Sequence, residues 1–359
     1  MITLQHELYI GGYAAADQAG IHACTFDDAT GELTARGSFV GVANPSFVVV
    51  HPHGYWLYAV SETSQQKDGM SGAVWAFRYT HEPWSMEPIN HQPSGGDWPC
   101  HLVIDSSGRW LLVSNYGSGT VGVLPILADG TLGEMTDLIQ HHGRGPHPER
   151  QEGPHAHSAT FAPDQRFVIV ADLGIDALLV YAFDPSAGRL RAHTHTTTRP
   201  GAGPRHMAFH PSGQCVYVAN ELDNTVAVYD YDATNGRLRE QQIVDTLPPT
   251  PLENTVADIH VSPPGDRVYV SNRGHDSVAI FEAEADGRLA PVAIRSCGGR
   301  CPRNFAIAPG NHFLLVANQQ SDEVGVLPVR GGSEALGAPI ARAAVTRPSC
   351  VCFVTTPHI

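Results

Sequence analysis

GPRHMAFHPSGQCVYVANE, residues 203–221, holds a short apolar run, a turn of Pro, Ser and Gly, and a second apolar run that stops at Asn220 and Glu221. Alternation over five or six residues around a Pro/Gly turn is the pattern of a β-hairpin. The same unit recurs along the chain. It reads NPSFVVVHPHGYWLYAVSE from Asn44, WPCHLVIDSSGRWLLVSNY from Trp98 and PHAHSATFAPDQRFVIVADL from Pro154. It returns as NTVADIHVSPPGDRVYVSNR from Asn254 and CPRNFAIAPGNHFLLVANQ from Cys301. Two weaker strands follow each hairpin, as in TVAVYDYDATNGRLREQQIV, joined by a D-x-x-x-G-x-L turn. Four strands per unit at a period near fifty residues describe β-propeller blades.

The strand ends Glu62, Asn115, Asp172, Asn220, Asn272 and Asn318 step by 53, 57, 48, 52 and 46 residues, and Gly12 lies 50 before Glu62. PSCVCFV from Pro348 is a first strand without a second, and HELYIGGY from His6 is a second without a first. Joined, they complete a seventh blade and remove the open edges. The expectation is an all-β, seven-bladed propeller spanning residues 1–359 as a single domain. No segment carries the 3.6-residue apolar period of a long helix.

Composition narrows the function. The 359 residues include 36 Asp and Glu against 22 Lys and Arg, a formal charge of −14, with no long basic run. That argues against a nucleic-acid partner while leaving room for a local positive site. No apolar stretch has the length of a membrane span. MITLQHELYIGGY lacks a basic region followed by an apolar one, and the seven cysteines are scattered and odd in number, so a reducing cytoplasm is expected. Cys297 and Cys301 form one C-x₃-C without a second pair, a poor zinc signal, and Cys350 and Cys352 read as core residues.

In an antiparallel hairpin the start of the first strand lies beside the end of the second, so each blade delivers two short segments to one rim. The strand starts contribute His155, His157, Arg205, His206 and Arg303. The strand ends contribute Asn115, Tyr116, Asp172, Glu221, Asn272 and Arg273. An Asn or Asp at a strand end commonly binds turn backbone, which is the plainer reading of Asn115, Asp172, Asn220 and Asn272. Arg205 and Arg303 follow prolines at strand starts, where a buried guanidinium needs an anionic partner. Glu221 adds a carboxylate just past the Asn position. His155 and His157 could supply two metal ligands, with Asp172 or His260 as a third, but a second H-x-H at His193 and His195 has no convergent partners. HHGRGPHPERQ, residues 141–151, reads as a long loop over the same rim, a lid or wall. No G-x-S-x-G elbow, P-loop or W-D dipeptide occurs, and a strand follows the G-x-G of GAGPRH.

RQEGPHAHSATFAPDQRFVIVADLGID, PGAGPRHMAFHPSGQCVYVANEL, DIHVSPPGDRVYVSNRGHDSVA and CPRNFAIAPGNHFLLVANQQSD together resemble the propeller lactonases, over essentially the whole chain. The resemblance implies a site of one His, two Arg and one Glu, which at matching positions are His157, Arg205, Glu221 and Arg273. His155, Asn115, Asp172, His206, Asn272 and Arg303 are expected around them as substrate-binding residues. The implied activity is hydrolysis of 6-phospho-D-glucono-1,5-lactone, a pentose phosphate pathway step, or of a related anionic sugar lactone. His157 or Glu221 would act as base, and the arginines would hold the oxyanion or an anionic substrate group, without metal or other cofactor. Lactonisation of a muconate-like diacid is the alternative reaction. A non-enzymatic ligand-binding or scaffold propeller is the alternative of another class.

Overall fold

A computed structural model describes residues 5–249 and 252–354. Residues 1–4, 250, 251 and 355–359 of the span expected as one domain lie outside the described residues. The strands form seven four-stranded antiparallel sheets, each running outward through consecutive strands. In the closing blade the strand Pro348–Phe353 pairs with Gln5–Gly12, which pairs with Ala19–Asp27 and then Leu33–Val40. The ends of the chain therefore close the ring in one sheet, as the two half-hairpins required.

Alternation of side chains explains how the blades cohere. Each strand of a blade presents one row of residues to either neighbour. Seven clusters of buried apolar residues result, one between every adjacent pair of blades. Val216 and Val218 pack toward the preceding blade while Tyr217 and Ala219 pack toward the next. The outer turns follow from their sequence motif. In DATNG the Asp232 side chain accepts from the Thr234 amide (2.9 Å), and Gly236 closes the turn at φ 60°, a left-handed conformation that glycine adopts without strain.

The Asn positions also have a local cause. Asn115 Nδ2 donates to Thr120 Oγ1 at 3.0 Å, Asn220 Nδ2 to Thr225 Oγ1 at 2.9 Å, and Asn272 Nδ2 to Ser277 Oγ at 3.3 Å. An amide at the end of the second strand thus ties down a hydroxyl at the start of the third, five residues on. One register differs from the expected alignment. The second strand of its blade ends at Ser61, so Glu62 lies one place beyond it, as Glu221 lies beyond Asn220.

Candidate active site

Two positions in the repeat line the mouth of the channel, and both have a backbone reason. The first is a β-bulge in the innermost strand. Pro204 pairs with Asn220 and His206 with Ala219, which leaves Arg205 as an extra, unpaired residue. The same slip isolates Cys100, His157, Arg303 and Ser349. A bulge re-aims its side chain, and all five of these line the throat of the channel. The second position lies at or just past the end of the second strand, where Tyr13, Glu62, Tyr116, Glu221 and Arg273 line a wider cavity of about 570 Å³ above the throat.

Glu221 is the hub. It is 3 % exposed, and its Oε2 receives Arg205 Nε at 2.9 Å and Arg273 Nη2 at 2.8 Å. Arg150 binds the other oxygen, Oε1. Burial alone would raise the Glu221 carboxyl, but the three guanidinium groups outweigh it and hold the group far below the ordinary carboxylate range. Glu221 is therefore a fixed anion whose lone pairs are committed to arginines. Burial, with Arg273 alongside, brings Arg205 down to about 10, still charged at neutral pH.

His157 presents the opposite case. It is buried, and desolvation together with Arg205, His206 and Arg303 holds its imidazole well below the usual histidine range. The ring is neutral at pH 7, and its Nε2 has no hydrogen-bond partner among the described residues. Cys100 lies 3.8 Å from Nδ1, with a thiol that burial raises far out of thiolate range. Beneath His157 lies a polar floor. His206 Nδ1 donates to Asp258 Oδ1 at 2.7 Å, and His260 Nε2 and Asn304 Nδ2 donate to Oδ2 at 2.9 and 2.6 Å.

The structure sorts the expected residues. His157, Arg205, Glu221, Arg273 and Arg303 converge on the cavity and its throat. His206 reaches only the throat. His155 stands behind the wall, stacked on Tyr116 at 4.3 Å with Nδ1 donating to the Tyr116 carbonyl at 2.8 Å. Asn115, Asp172 and Asn272 do not face the cavity, which corrects the expectation that they touch substrate. All three are fully buried in blade hydrogen bonds. Asp172 accepts from the amides of His155 (2.8 Å) and Gly174 (3.0 Å) and from His141 Nδ1 (2.6 Å). No group of three His, Cys, Asp or Glu among the described residues is placed to hold a metal ion.

Several lining residues were not singled out by sequence, among them Tyr13, Glu62, Lys67, Trp98, Arg150 and Arg347. Tyr13 and Glu62 occupy the position of Glu221 in other blades, so a repeat aligned on Ser61 and Gly12 would have exposed them. The Tyr13 hydroxyl donates to Glu62 Oε2 at 2.9 Å, Ser46 binds the same carboxylate, and burial raises the Glu62 carboxyl. Arg150 comes from the 141–151 loop, which does form a wall of the cavity. Gln151 anchors that loop, with Nε2 donating to the Leu173 carbonyl at 2.8 Å and Asp176 Oδ1 at 2.7 Å.

The family model "Lactonase, 7-bladed beta-propeller" matches residues 7–353. The chain belongs to that lactonase family. It is 35% identical over 315 residues to the 6-phosphogluconolactonase of Bacillus subtilis, covering 87% of this chain and 88% of that one. It is 32% identical over 311 residues to the 6-phosphogluconolactonase of Formosa agariphila, covering 85% and 87%. Among solved structures, the periplasmic gluconolactonase of Pseudomonas aeruginosa superposes with a TM-score of 0.92 at 32% identity, over 98% of this chain and 100% of that one. In the lactonase framework, no described helix is long and apolar enough to cross a membrane.

Proposed function

We propose that this protein hydrolyses a sugar δ-lactone, with 6-phospho-D-glucono-1,5-lactone as substrate. One observation carries the reading: a neutral histidine, His157, shares a cavity with arginines that a single buried carboxylate locks in place. The named lactonases among its relatives support the same reaction class.

Lactone opening adds water to the C1 carbonyl and expels the ring oxygen. A base must take a proton from water, the carbonyl oxygen becomes an oxyanion, and the ring oxygen must leave protonated. Glu221 is a poor base, because its oxygens are committed and its proton affinity is suppressed. His157 fits better. Its unprotonated Nε2 accepts the water proton, and the imidazolium so formed is a strong acid because its surroundings disfavour it. That acid returns the proton to the departing ring oxygen. Arg273, whose buried Nε has no partner, and Arg205 stabilise the oxyanion. Glu221 is a positioning residue that holds both guanidinium groups through its Oε2. Oriented groups of this kind suffice for an ester already activated by its ring. The seven free thiols favour a reducing cytoplasm as its site of action.

The test is the rate of acid release from freshly generated 6-phosphogluconolactone, with muconate cyclisation assayed alongside. Wild-type protein should accelerate the hydrolysis, and His157→Ala should lower kcat/KM about 100-fold with the fold intact. Unchanged activity in His157→Ala would remove the histidine from the mechanism. Loss of activity on chelation would replace the scheme with a metal-dependent one.

A further inference from the structure

The cations around the cavity fall into two sets. Arg150, Arg205 and Arg273 all pair with the one carboxylate of Glu221. Arg303, Arg347 and Lys67 form no ion pair among the described residues. Arg303 and Arg347 both lie against the ring of Tyr13, at 5.2 and 5.4 Å from its centroid, and Lys67 lies over Trp98 at 5.7 Å. Arg303 spends one donor on the Tyr13 hydroxyl at 2.8 Å. Its remaining donors and the whole Arg347 fork are uncommitted. All five residues line the same cavity as His157.

A second, independent observation concerns the backbone. The residue before the first-strand proline has positive φ in five blades: Asn44 (47°), Trp98 (51°), Gly203 (64°), Cys301 (57°) and Arg347 (41°). Gly and Asn meet this requirement with little strain, whereas bulky side chains resist it. Arg347 is nevertheless pinned there, its amide donating to Asp322 Oδ1 at 2.8 Å and its carbonyl accepting from the Tyr13 amide at 3.0 Å. Trp98 is held likewise, its amide donating to the Thr63 carbonyl at 2.9 Å. The positive φ belongs to the repeat, and at these two blades it places one guanidinium and one aromatic platform at the cavity wall.

We propose that Arg303 and Arg347, with Lys67 at the rim, form a subsite for the phosphate of a phosphorylated sugar lactone, separate from the Arg205–Glu221–Arg273 clamp. Guanidinium forks match phosphate oxygens, and the free donors of Arg303 and Arg347 offer a phosphate two such forks. The subsite makes the enzyme selective for phosphorylated over neutral lactones. The proposal rests on the lactonase reading, and its test separates the two.

Arg347 is exposed and outside the catalytic clamp, so Arg347→Ala leaves the blades intact. Hydrolysis of 6-phosphogluconolactone and of unphosphorylated glucono-1,5-lactone is compared in wild type and variant. The subsite requires a KM for the phosphorylated lactone raised about tenfold, with kcat/KM on the neutral lactone changed less than about twofold. Arg347→Lys should restore part of the loss. Equal loss on both lactones, or none on either, overturns the subsite. Calorimetric titration with inorganic phosphate supplies a readout free of catalysis. Phosphate binding to wild type that weakens about tenfold in Arg347→Ala upholds the subsite even if neither lactone is hydrolysed. Equal binding to both proteins, or none to wild type, overturns it.

Discussion

Arg205 is 3 % exposed, and its charge depends on Glu221. A buried ion pair loses most when one partner is removed, because the other charge stays desolvated. Glu221→Gln should therefore cost about 3 kcal/mol of unfolding free energy in urea, together with about a 100-fold loss of kcat/KM as Arg205 and Arg273 lose their register. Arg150→Ala is the control. Its side chain is 34% exposed, so solvent already screens its attraction to Glu221 and the stability change should stay within about 1 kcal/mol. Comparable losses in both variants would mean that Glu221 has no special hold on Arg205. At this scale the sequence was informative where a residue broke the repeat. Arg205 and Arg303 stand out against Cys100 and Ser349 at the same place in sister units, and Arg273 against Tyr13 and Tyr116. Asn115 and Asn272 look equally polar in a string of letters, yet the Thr or Ser five residues later claims their amides. Arg150 carries no repeat signal, because the loop that delivers it has no counterpart in the other blades.

The bulged innermost strands bring three imidazoles into one layer. His157 and His206 lie 5.3 Å apart between centroids, and His206 and His101 lie 5.4 Å apart. Burial lowers all three, His206 to about 4 and the others well below the usual value, with neighbouring arginine and histidine charge acting in the same direction. Between its unfolded and folded pKa each of them binds fewer protons in the native state. Stability therefore falls as pH drops below about 6.5, by about 1.4 kcal/mol per unit for each histidine. His260 acts oppositely. Its partner Asp258 raises it against the pull of burial, so its contribution is complete below the unfolded value and fades as pH rises through the folded one. Three against one leaves a net loss of about 2–3 kcal/mol between pH 7.5 and 5.5. Urea unfolding at the two pH values measures this, and a flat or rising stability toward pH 5.5 would contradict a neutral histidine layer. The bulges themselves were not legible in the sequence. Alternation alone points His155 and His157 to one side, whereas the extra residue re-aims His157 into the throat and leaves His155 behind Tyr116.

At the scale of the molecule the ring was readable because its two ends are complementary halves of one unit. The closing strand shows why that matters energetically. In Pro348–Phe353, Val351 packs into the core shared with the preceding blade and Cys350 into the core shared with the following one. Six residues thus seal two of the seven inter-blade cores, and the Ser349 hydroxyl bridges to the Gly11 carbonyl, 338 residues away, at 3.4 Å. Such closure forms late, because its entropy cost precedes its contacts. It also sets the site, since Tyr13, Arg303 and Arg347 come from the closing blade and its neighbour and meet only once the ring shuts. Val351→Asp places an unpaired carboxylate at a position 6 % exposed, which should cost more than about 3 kcal/mol and reduce activity through the fraction folded. Deleting residues 348–354 should go further. With the edge of Gln5–Gly12 unpaired and two apolar cores open, the protein should elute as aggregates and lose its cooperative melting transition. A deletion variant that stayed monomeric and melted at the wild-type temperature would show that the ring holds without the innermost strand of its closing blade. The velcro-like closure would then be dispensable, and the joint between Tyr13 and Arg303 would need another support.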